Sequence, residues 1–286
     1  MEHYGTHLVV DRKAFNKGSI IQSDPPKSED VGKHQVLLQI DKFAYTANNV
    51  TYALVGEQIG YWKFFPVKEP GQGIIPCWGF AQVVHSKHDE IKEGSRYYGF
   101  FPMASHFIVT PGDVRKGRFT DHAPHRQGLP VIYNQCILCE TDPLYHPDHE
   151  DLQSLIRPLF TTSFLIHDQF SLNEFYNAQQ LILISASSKT GIGLASCLSK
   201  EDIHVVGVTS ERNVPLVKQT GYYDEIVTYD EIEKITRRKS ALVDFAGNHS
   251  TQLAIQNHLE NEVNFNCVVG MVRFESDKGK PALPVP

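Results

Sequence analysis

The second half of the chain alternates short apolar segments with helical patterns, and this alternation constrains the fold more than any other feature. The apolar segments are typical of buried parallel strands, and they cover residues 181–185, 204–208, 225–227, 241–245 and 267–270. The polar and apolar residues between them have helical spacing, so each pair of strands is joined by a crossover. Such an alternation predicts an α/β fold with a doubly wound parallel sheet.

The first of these strands runs directly into a glycine-containing turn that opens a helix. Residues 186–193 read Ala-Ser-Ser-Lys-Thr-Gly-Ile-Gly. Small residues let a backbone approach a pyrophosphate, and the free N–H groups of a helix start face the anion. We therefore predict a dinucleotide phosphate site that uses Ser187, Ser188, Lys189, Thr190, Gly191 and Gly193. The alternative is a tight turn without a ligand. A P-loop is rejected, because Leu183 and Ser188 stand where that motif needs glycine.

The end of the second strand indicates which nicotinamide cofactor would bind. An acidic residue there would bind the ribose 2′-hydroxyl of NAD, but this chain has Thr209 at the tip. Ser210 and Arg212 follow, and both offer contacts to a 2′-phosphate. The sequence thus predicts NADP(H), with Glu211 as an opposing charge. The alternative is that Arg212 is only a solvated surface residue.

The first half of the chain has the pattern of antiparallel β structure. Residues 35–44 and 76–85 alternate in polarity, and residues 96–101 and 106–110 are shorter strand candidates separated by glycine turns. Several short strands at this spacing predict a small barrel. Residues 116–127 are polar and are predicted as a loop. Residues 151–170 have helical spacing, with Pro158 expected to start or kink the helix. We place the domains at 1–145 and 146–286.

Composition excludes several classes of protein. The net charge is −6, so the chain has no basic field for nucleic acid. The longest apolar stretches are too short to span a membrane, and the N-terminus lacks the pattern of a signal peptide. The chain has 5 cysteines, an odd number at low density, which favours a reduced cytoplasmic protein. An enzyme or a ligand-binding protein remains.

Taken together, these segments resemble the medium-chain dehydrogenase/reductase superfamily. Residues 36–49 and 76–84 resemble parts of its GroES-like barrel, and residues 185–195, 206–213, 221–227 and 243–247 resemble its cofactor domain. The Ser-Ser-Lys-Thr loop is most similar to an uncharacterised branch described only as a domain of unknown function. The resemblance implies a GroES-like barrel followed by a Rossmann domain, without the superfamily's usual C-terminal strand and helix.

The resemblance also narrows the chemistry. Thr46, Trp78 and Gly79 match the catalytic ligand positions of the zinc members, and the four-cysteine lobe has no counterpart. The remaining likeness is to zinc-independent quinone and enoyl reductases. It implies NADPH-dependent reduction of a small enone, quinone or carbonyl substrate, and a homodimer. Cys136-x-x-Cys139 followed by His146-x-x-His149 has ligand types that suit zinc, but we interpret this histidine-rich segment as solvated.

The resemblance implies where the reaction would occur. In the similar reductases the turn around residues 45–52 faces the nicotinamide. Hydroxyl and amide donors there would stabilise an enolate, and a tyrosine would deliver the proton. The candidates are Tyr45, Asn48, Asn49 and Tyr52, and the alternative is that the tyrosines pack in the barrel core. The residues expected beside the nicotinamide ring are Thr161, Thr162, Gly270 and Met271. A second hypothesis is a non-catalytic NADP(H)-binding or redox-sensing protein.

Overall fold

The computed structural model describes residues 4–270. The chain divides into two compact units, Met1–Leu155 and Ile156–Pro286. Within the described residues, no helix is both long enough and apolar enough to cross a membrane.

The first unit is built mainly from β-strands. They are β1 (His7–Asp11), β2 (Ala14–Ile21), β3 (Val36–Ala44), β4 (Gln72–Gly73), β5 (Pro76–Ser86), β6 (Arg96–Pro102), β7 (His106–Val109), β8 (Pro111–Arg115), β9 (Arg118–Asp121) and β10 (Gln135–Leu138). A small sheet has the order β2-β1-β4, and a seven-stranded sheet has the order β7-β3-β5-β6-β10-β9-β8. The larger sheet is antiparallel and curled into a half-barrel, which confirms the predicted GroES-like architecture.

Aromatic side chains fill the first unit. Phe64, Phe65 and Phe101 are fully buried, and Phe100 contacts Tyr52 with ring centroids 5.5 Å apart. The short helices α1 (Ala47–Leu54) and α2 (Gly56–Ile59) cover this core. Because the period-two pattern of β3 and β5 places one face of each strand inward, their apolar residues reach this cluster.

Two predictions for local structure were wrong. The predicted loop at 116–127 contains strand β9, whose Phe119 is its one large apolar residue and is fully buried. The predicted turn at 45–52 is mostly helix α1, which begins after Thr46. In both cases tertiary packing or capping outweighed local composition. The predicted helix at 151–170 is confirmed as α3 (Glu150–Leu172), and Pro158 lies inside it rather than at its start.

The second unit confirms the predicted doubly wound parallel sheet. Its strands are β11 (Gln180–Ile184), β12 (His204–Thr209), β13 (Glu225–Thr228), β14 (Ser240–Asp244) and β15 (Val263–Val268), in the order β13-β12-β11-β14-β15. Helices α4 (Lys189–Leu198), α5 (Val214–Thr220) and α6 (His249–Leu259) connect them. Residues of α3 and α4 pack on one face of the sheet and residues of α6 on the other. The predicted helix near 231–236 is only a 3₁₀ turn, Ile232–Lys234.

A left-handed turn joins α3 to β11. Glu174, Phe175, Tyr176 and Asn177 all have φ between 50° and 55°. Non-glycine residues rarely adopt this conformation, which costs about 1–2 kcal/mol each. Tyr176 offsets part of this cost, because its ring stacks on Phe265 at 3.8 Å between centroids. The aromatic contact therefore holds a strained connection in place.

This strain predicts a stabilising substitution. Glu174 is exposed and makes no contact that glycine would lose, so Glu174→Gly should raise the free energy of unfolding by about 0.5–1 kcal/mol. Tyr176→Gly should instead lower it, since the stacked ring is removed. Urea denaturation of both variants checks this, with Glu174→Ala expected to match the wild type. Equal effects of glycine and alanine at position 174 would show that the backbone is not strained there.

Candidate functional site

The turn after β11 lies where the order of the parallel strands reverses. β11 is the central strand, with β12 on one side and β14 on the other. In open α/β sheets, ligands bind outside the carboxyl ends of the strands at such a point. The structure thus places the predicted phosphate loop, residues 185–193, at the position where this fold binds nucleotides.

Hydrogen bonds within the protein hold the phosphate loop in shape. Ser188 caps α4, because its Oγ accepts a hydrogen bond from the N–H of Gly191 at 3.0 Å. Ser163 on α3 donates to the carbonyl of Thr190 at 2.8 Å. Tyr223 donates to the carbonyl of Ala186 at 2.8 Å. Burial raises the pKa of Tyr223, so this hydroxyl stays protonated and continues to donate.

Gly193 is required for a reason that the sequence did not show. A Cβ at this position would lie 2.6 Å from Oγ of Ser163 and 3.3 Å from the ring of Phe160. Both neighbours belong to α3. Glycine therefore allows α4 and α3 to pack closely, which sets the direction in which the start of α4 points.

A cluster of hydroxyl and amide groups surrounds the tip of β12. Ser187 accepts hydrogen bonds from Thr209 at 3.3 Å and from the side-chain amide of Asn213 at 2.9 Å. Ser185 and Tyr229 are linked through their hydroxyls at 3.2 Å. Asn213 and Tyr229 were not among the site residues predicted from the sequence. The signal for Tyr229 was available, because it directly follows β13 at the same edge of the sheet.

Two cations beside this cluster are available to a ligand. Lys189 and Arg212 are exposed, and neither forms an ion pair with any residue between 4 and 270. Ser210 lies between Thr209 and the short turn that carries Arg212, and Glu211 in that turn is also exposed. The structure brings Ser187, Thr209 and Asn213 together, and among the described residues it gives the charges of Lys189 and Arg212 no ion-pair partner.

A buried carboxylate shapes the neighbouring turn. Asp244 ends β14 and is fully buried. It accepts hydrogen bonds from the N–H groups of Ala246, Gly247 and Asn248, at 2.9, 3.1 and 2.6 Å, and from the side chain of Gln252 at 2.6 Å. Because Asp244 pairs with Ile184 in the sheet, this turn lies beside the phosphate loop. Asp244 was not among the site residues predicted from the sequence.

The other residues predicted beside the nicotinamide, Thr161, Thr162, Gly270 and Met271, have different surroundings. The hydroxyls of Thr161 and Thr162 donate within α3, to the carbonyls of Arg157 and Pro158 at 2.8 and 3.2 Å. Their remaining capacity is as acceptors. Gly270 follows β15, and a Cβ there would overlap the carbonyl oxygen of Phe245. Met271 lies outside the described residues.

In the first unit, the structure brings Asn48 and Tyr52 together on α1. The Tyr52 hydroxyl accepts hydrogen bonds from the side-chain amide of Asn48 at 2.7 Å and from the indole N–H of Trp78 at 3.2 Å. Burial, with nearby Tyr133, raises the pKa of Tyr52, so its hydroxyl is neutral. With two donors already pointing at the oxygen, the hydroxyl proton is left for another acceptor.

Asn49 and Tyr45 have other environments. Asn49 is buried, accepts from the N–H of Thr46 at 2.7 Å and donates to the carbonyl of Pro76 at 2.8 Å. These bonds cap α1 and join it to β5. The Tyr45 side chain is 60% exposed and lies in an apolar groove with Ile20 and Phe43. The structure therefore separates the four predicted catalytic residues into a linked pair, a helix cap and an exposed ring.

The cysteines and histidines of residues 136–149 do not form a recognisable metal site. Cys136 and Cys139 are buried, whereas His146 and His149 are exposed. Burial raises the pKa of the Cys136 thiol, which disfavours the thiolate that zinc needs. Among the residues that the structure describes, no group of three or more His, Cys, Asp or Glu side chains could hold a metal ion.

Comparisons with known proteins agree with this fold. The family "Protein of unknown function (DUF2855)" matches residues 43–281. No curated protein matches the sequence. CurA from Vibrio vulnificus, solved with NADPH, is 13% identical with a TM-score of 0.64, over 98% of this chain and 76% of that chain. A putative NADPH:quinone reductase from Bacillus thuringiensis is 11% identical with a TM-score of 0.57, over 95% and 74%.

A third structure, the yhdH oxidoreductase from Salmonella enterica with NADP, is 11% identical with a TM-score of 0.51, over 98% of this chain and 77% of that chain. At these identities the likeness shows a shared fold. The shared fold combines the antiparallel half-barrel and the doubly wound parallel sheet that the sequence resemblance implied.

Proposed function

We propose that this chain, which belongs to the DUF2855 family of proteins of unknown function, is an NADPH-dependent oxidoreductase. One observation supports the proposal most strongly. The phosphate loop lies where the order of the parallel strands reverses. Ser187, Thr209 and Asn213 lie beside it, as does Arg212, which has no ion-pair partner among the described residues. The proposed substrate is a small enone, quinone or carbonyl compound. Neighbours of the same fold, crystallised with NADPH or NADP, support the choice of cofactor.

The residues of the second unit fit a dinucleotide. The N–H groups at the start of α4 and the Lys189 ammonium group would bind the pyrophosphate, since a helix start favours an anion. Ser187, Thr209 and Asn213 offer hydrogen bonds to the ribose, and Ser210 and Arg212 to its 2′-phosphate. Neither Thr209, the last residue of β12, nor Ser210 carries a carboxylate that would repel that phosphate. Thr161, Thr162 and Gly270 are proposed to lie beside the nicotinamide.

The first unit would supply the proton. The cofactor supplies the hydride, and reduction of an enone or carbonyl then builds negative charge on the substrate oxygen. Tyr52 is proposed to donate its free proton there, with Asn48 and Trp78 holding its oxygen in place. Asn49 would keep α1 fixed to β5, and Tyr45 would contact the substrate from its exposed position. We also propose that the reaction needs no zinc and that the protein is a cytoplasmic homodimer.

Turnover of NADPH with a panel of enones, quinones and aldehydes tests the proposal. We expect NADPH oxidation with at least one class of substrate, unchanged by a metal chelator and lost in Tyr52→Phe. Asn48→Ala should lower kcat more than it changes the affinity for NADPH, because Asn48 acts through Tyr52. Binding of NADPH without turnover of any substrate would instead favour a non-catalytic or redox-sensing protein, which the deep burial of Tyr52 also fits.

The cofactor preference gives a quantitative prediction. A charge-assisted hydrogen bond from Arg212 to a 2′-phosphate contributes about 1.5–3 kcal/mol, so NADPH should bind roughly 10- to 150-fold more tightly than NADH. Glu211 opposes this contact, so we expect a value near the lower end. Arg212→Ala should remove most of the preference and leave NADH affinity unchanged, as measured by fluorescence titration.

Lys218→Ala is the matched control for this titration, since Lys218 is an exposed cation on α5. It should bind both cofactors as the wild type does. Equal losses of NADPH and NADH affinity in Arg212→Ala would show that Arg212 does not contact the 2′-phosphate.

A further inference from the structure

The hairpin formed by β8 and β9 places like charges opposite each other. Arg115 and Arg118 are cross-strand partners, joined by the two-residue turn Lys116-Gly117. Like charges directly opposite in a sheet destabilise the pairing. All three cations are exposed, and none forms an ion pair with a residue between 4 and 270. The protein thus concentrates positive charge at this hairpin without neutralising it.

A cavity of about 310 Å³ lies against the same hairpin. Its charged lining consists of Arg115, Lys116, Arg118 and Glu90, and its apolar lining includes Val114 and Leu138. Three positive charges and one negative charge leave a net charge of +2 around the opening. The volume is at the lower end of the range for small-molecule pockets, about 300–1,000 Å³. We call this space the hairpin cavity.

A tyrosine also lines the hairpin cavity. Tyr97 is only 5% exposed and is one of the lining residues. Its hydroxyl makes no hydrogen bond to any described residue, so it is available to a ligand in the cavity. Burial raises the pKa of Tyr97 to about 12, so the hydroxyl is protonated near neutral pH and can donate to a ligand.

We propose that the hairpin cavity binds a small organic phosphate ester. Arg115, Arg118 and Lys116 would bind the phosphate, and the apolar part of the ligand would contact Val114 and Leu138. A phosphate monoester carries about −1.5 to −2 charges near pH 7, which matches the net charge of the lining better than a carboxylate does. Its oxygens also match the forked geometry of arginine. The Tyr97 hydroxyl would donate a hydrogen bond to the ligand.

The site is independent of the proposed nucleotide site. All of its lining residues lie in the first unit, whereas the phosphate loop and Arg212 lie in the second. Failure of one proposal therefore leaves the other intact, and the two can be tested with separate variants.

Calorimetric titration with phenyl phosphate tests the hairpin cavity. We expect the wild type to bind phenyl phosphate more tightly than inorganic phosphate or benzoate. Arg115→Gln/Arg118→Gln should weaken binding at least about 10-fold, because charged hydrogen bonds are lost. Tyr97→Phe, which removes only the hydroxyl, should weaken it by roughly 2- to 12-fold. Phenyl phosphate should also raise the thermal midpoint of the wild type but not that of the double variant.

Two controls separate this site from general charge effects and from the nucleotide site. Lys17→Gln/Lys33→Gln removes the same charge from exposed positions of the first unit and should bind phenyl phosphate as the wild type does. Arg212→Ala should also bind it normally, and the hairpin double variant should bind NADPH normally. The proposal is overturned if the wild type does not bind phenyl phosphate, if benzoate binds equally well, or if the double variant binds within twofold of the wild type.

Discussion

Replacing Arg126 with methionine should lower the free energy of unfolding of the first unit by about 3–5 kcal/mol. Arg126 and Asp121 are each only 2% exposed, and Nε lies 3.0 Å from Oδ2 of the carboxylate. The other oxygen of Asp121 accepts hydrogen bonds from the N–H groups of Thr110 and Ala123. Methionine would keep most of the volume but would leave the Asp121 charge buried without its cation.

The surroundings of Arg126 show why the charge, rather than the shape, should dominate. The guanidinium lies 4.8 Å from the ring centroid of Phe65 and 5.3 Å from those of Phe64 and Phe107. Methionine packs well against such rings. The loss expected in urea denaturation is therefore mainly electrostatic. Asp121→Asn combined with Arg126→Met should recover much of the stability, because it removes both charges together.

Lys33→Met provides the control for an exposed cation, with an expected change below about 0.5 kcal/mol. A loss for Arg126→Met that is equally small would show that the buried ion pair does not stabilise the first unit. A double variant as unstable as the single one would show that packing, not charge, accounts for the loss.

Replacing Gly193 with valine should abolish cofactor binding while the first unit stays folded. The new side chain would collide with Ser163 and Phe160 on α3, so α4 must shift away from its position after the phosphate loop. Loss of two charged hydrogen bonds to the pyrophosphate corresponds to at least about 3 kcal/mol, or more than about 100-fold in affinity. Titration with NADPH measures the loss, and circular dichroism verifies the fold.

The geometry offers a rescue experiment for the same position. Gly193→Ala should weaken binding less than valine does, because it adds only the Cβ that approaches Ser163. Adding Ser163→Ala removes the oxygen at 2.6 Å and leaves the next contact at 3.2 Å, so binding should partly return. Normal NADPH affinity in Gly193→Val would mean that the loop does not bind the cofactor.

The loop of residues 185–193 could be predicted, as a turn between a strand and a helix, because its signal is local. A strand, a small-residue turn and a helix follow one another within residues 181–200, and each is visible in composition and spacing. Asn213, Tyr229 and Asp244 are not part of this local pattern. They come to the site from the ends of three different strands, and only the order of those strands brings them near residues 185–193.

Burial was the property that sequence predicted least well. Arg126 lies in a polar segment and was expected in a loop, yet three phenylalanines surround its guanidinium. Asn49 was expected to act on a substrate, yet it caps α1. A signal for that cap did exist, since Thr46 and Asn49 have the spacing of a capping box. For Tyr52, burial depends on distant residues such as Phe100, so sequence alone left the core and catalytic alternatives open.

The hydrogen bonds of the phosphate loop have a consequence for the thermodynamics of binding. Ser163, Ser188 and Tyr223 fix the loop through contacts that belong to the protein alone. Preorganised sites lose little conformational entropy when a ligand arrives, so affinity follows the contacts that the ligand itself makes. The differences in binding free energy between NADPH, NADH and their fragments should then be the sum of the contributions of the individual chemical groups. In a Ser163→Ala or Tyr223→Phe variant, the entropy of binding should become more unfavourable, while the contacts that the ligand itself makes should stay the same.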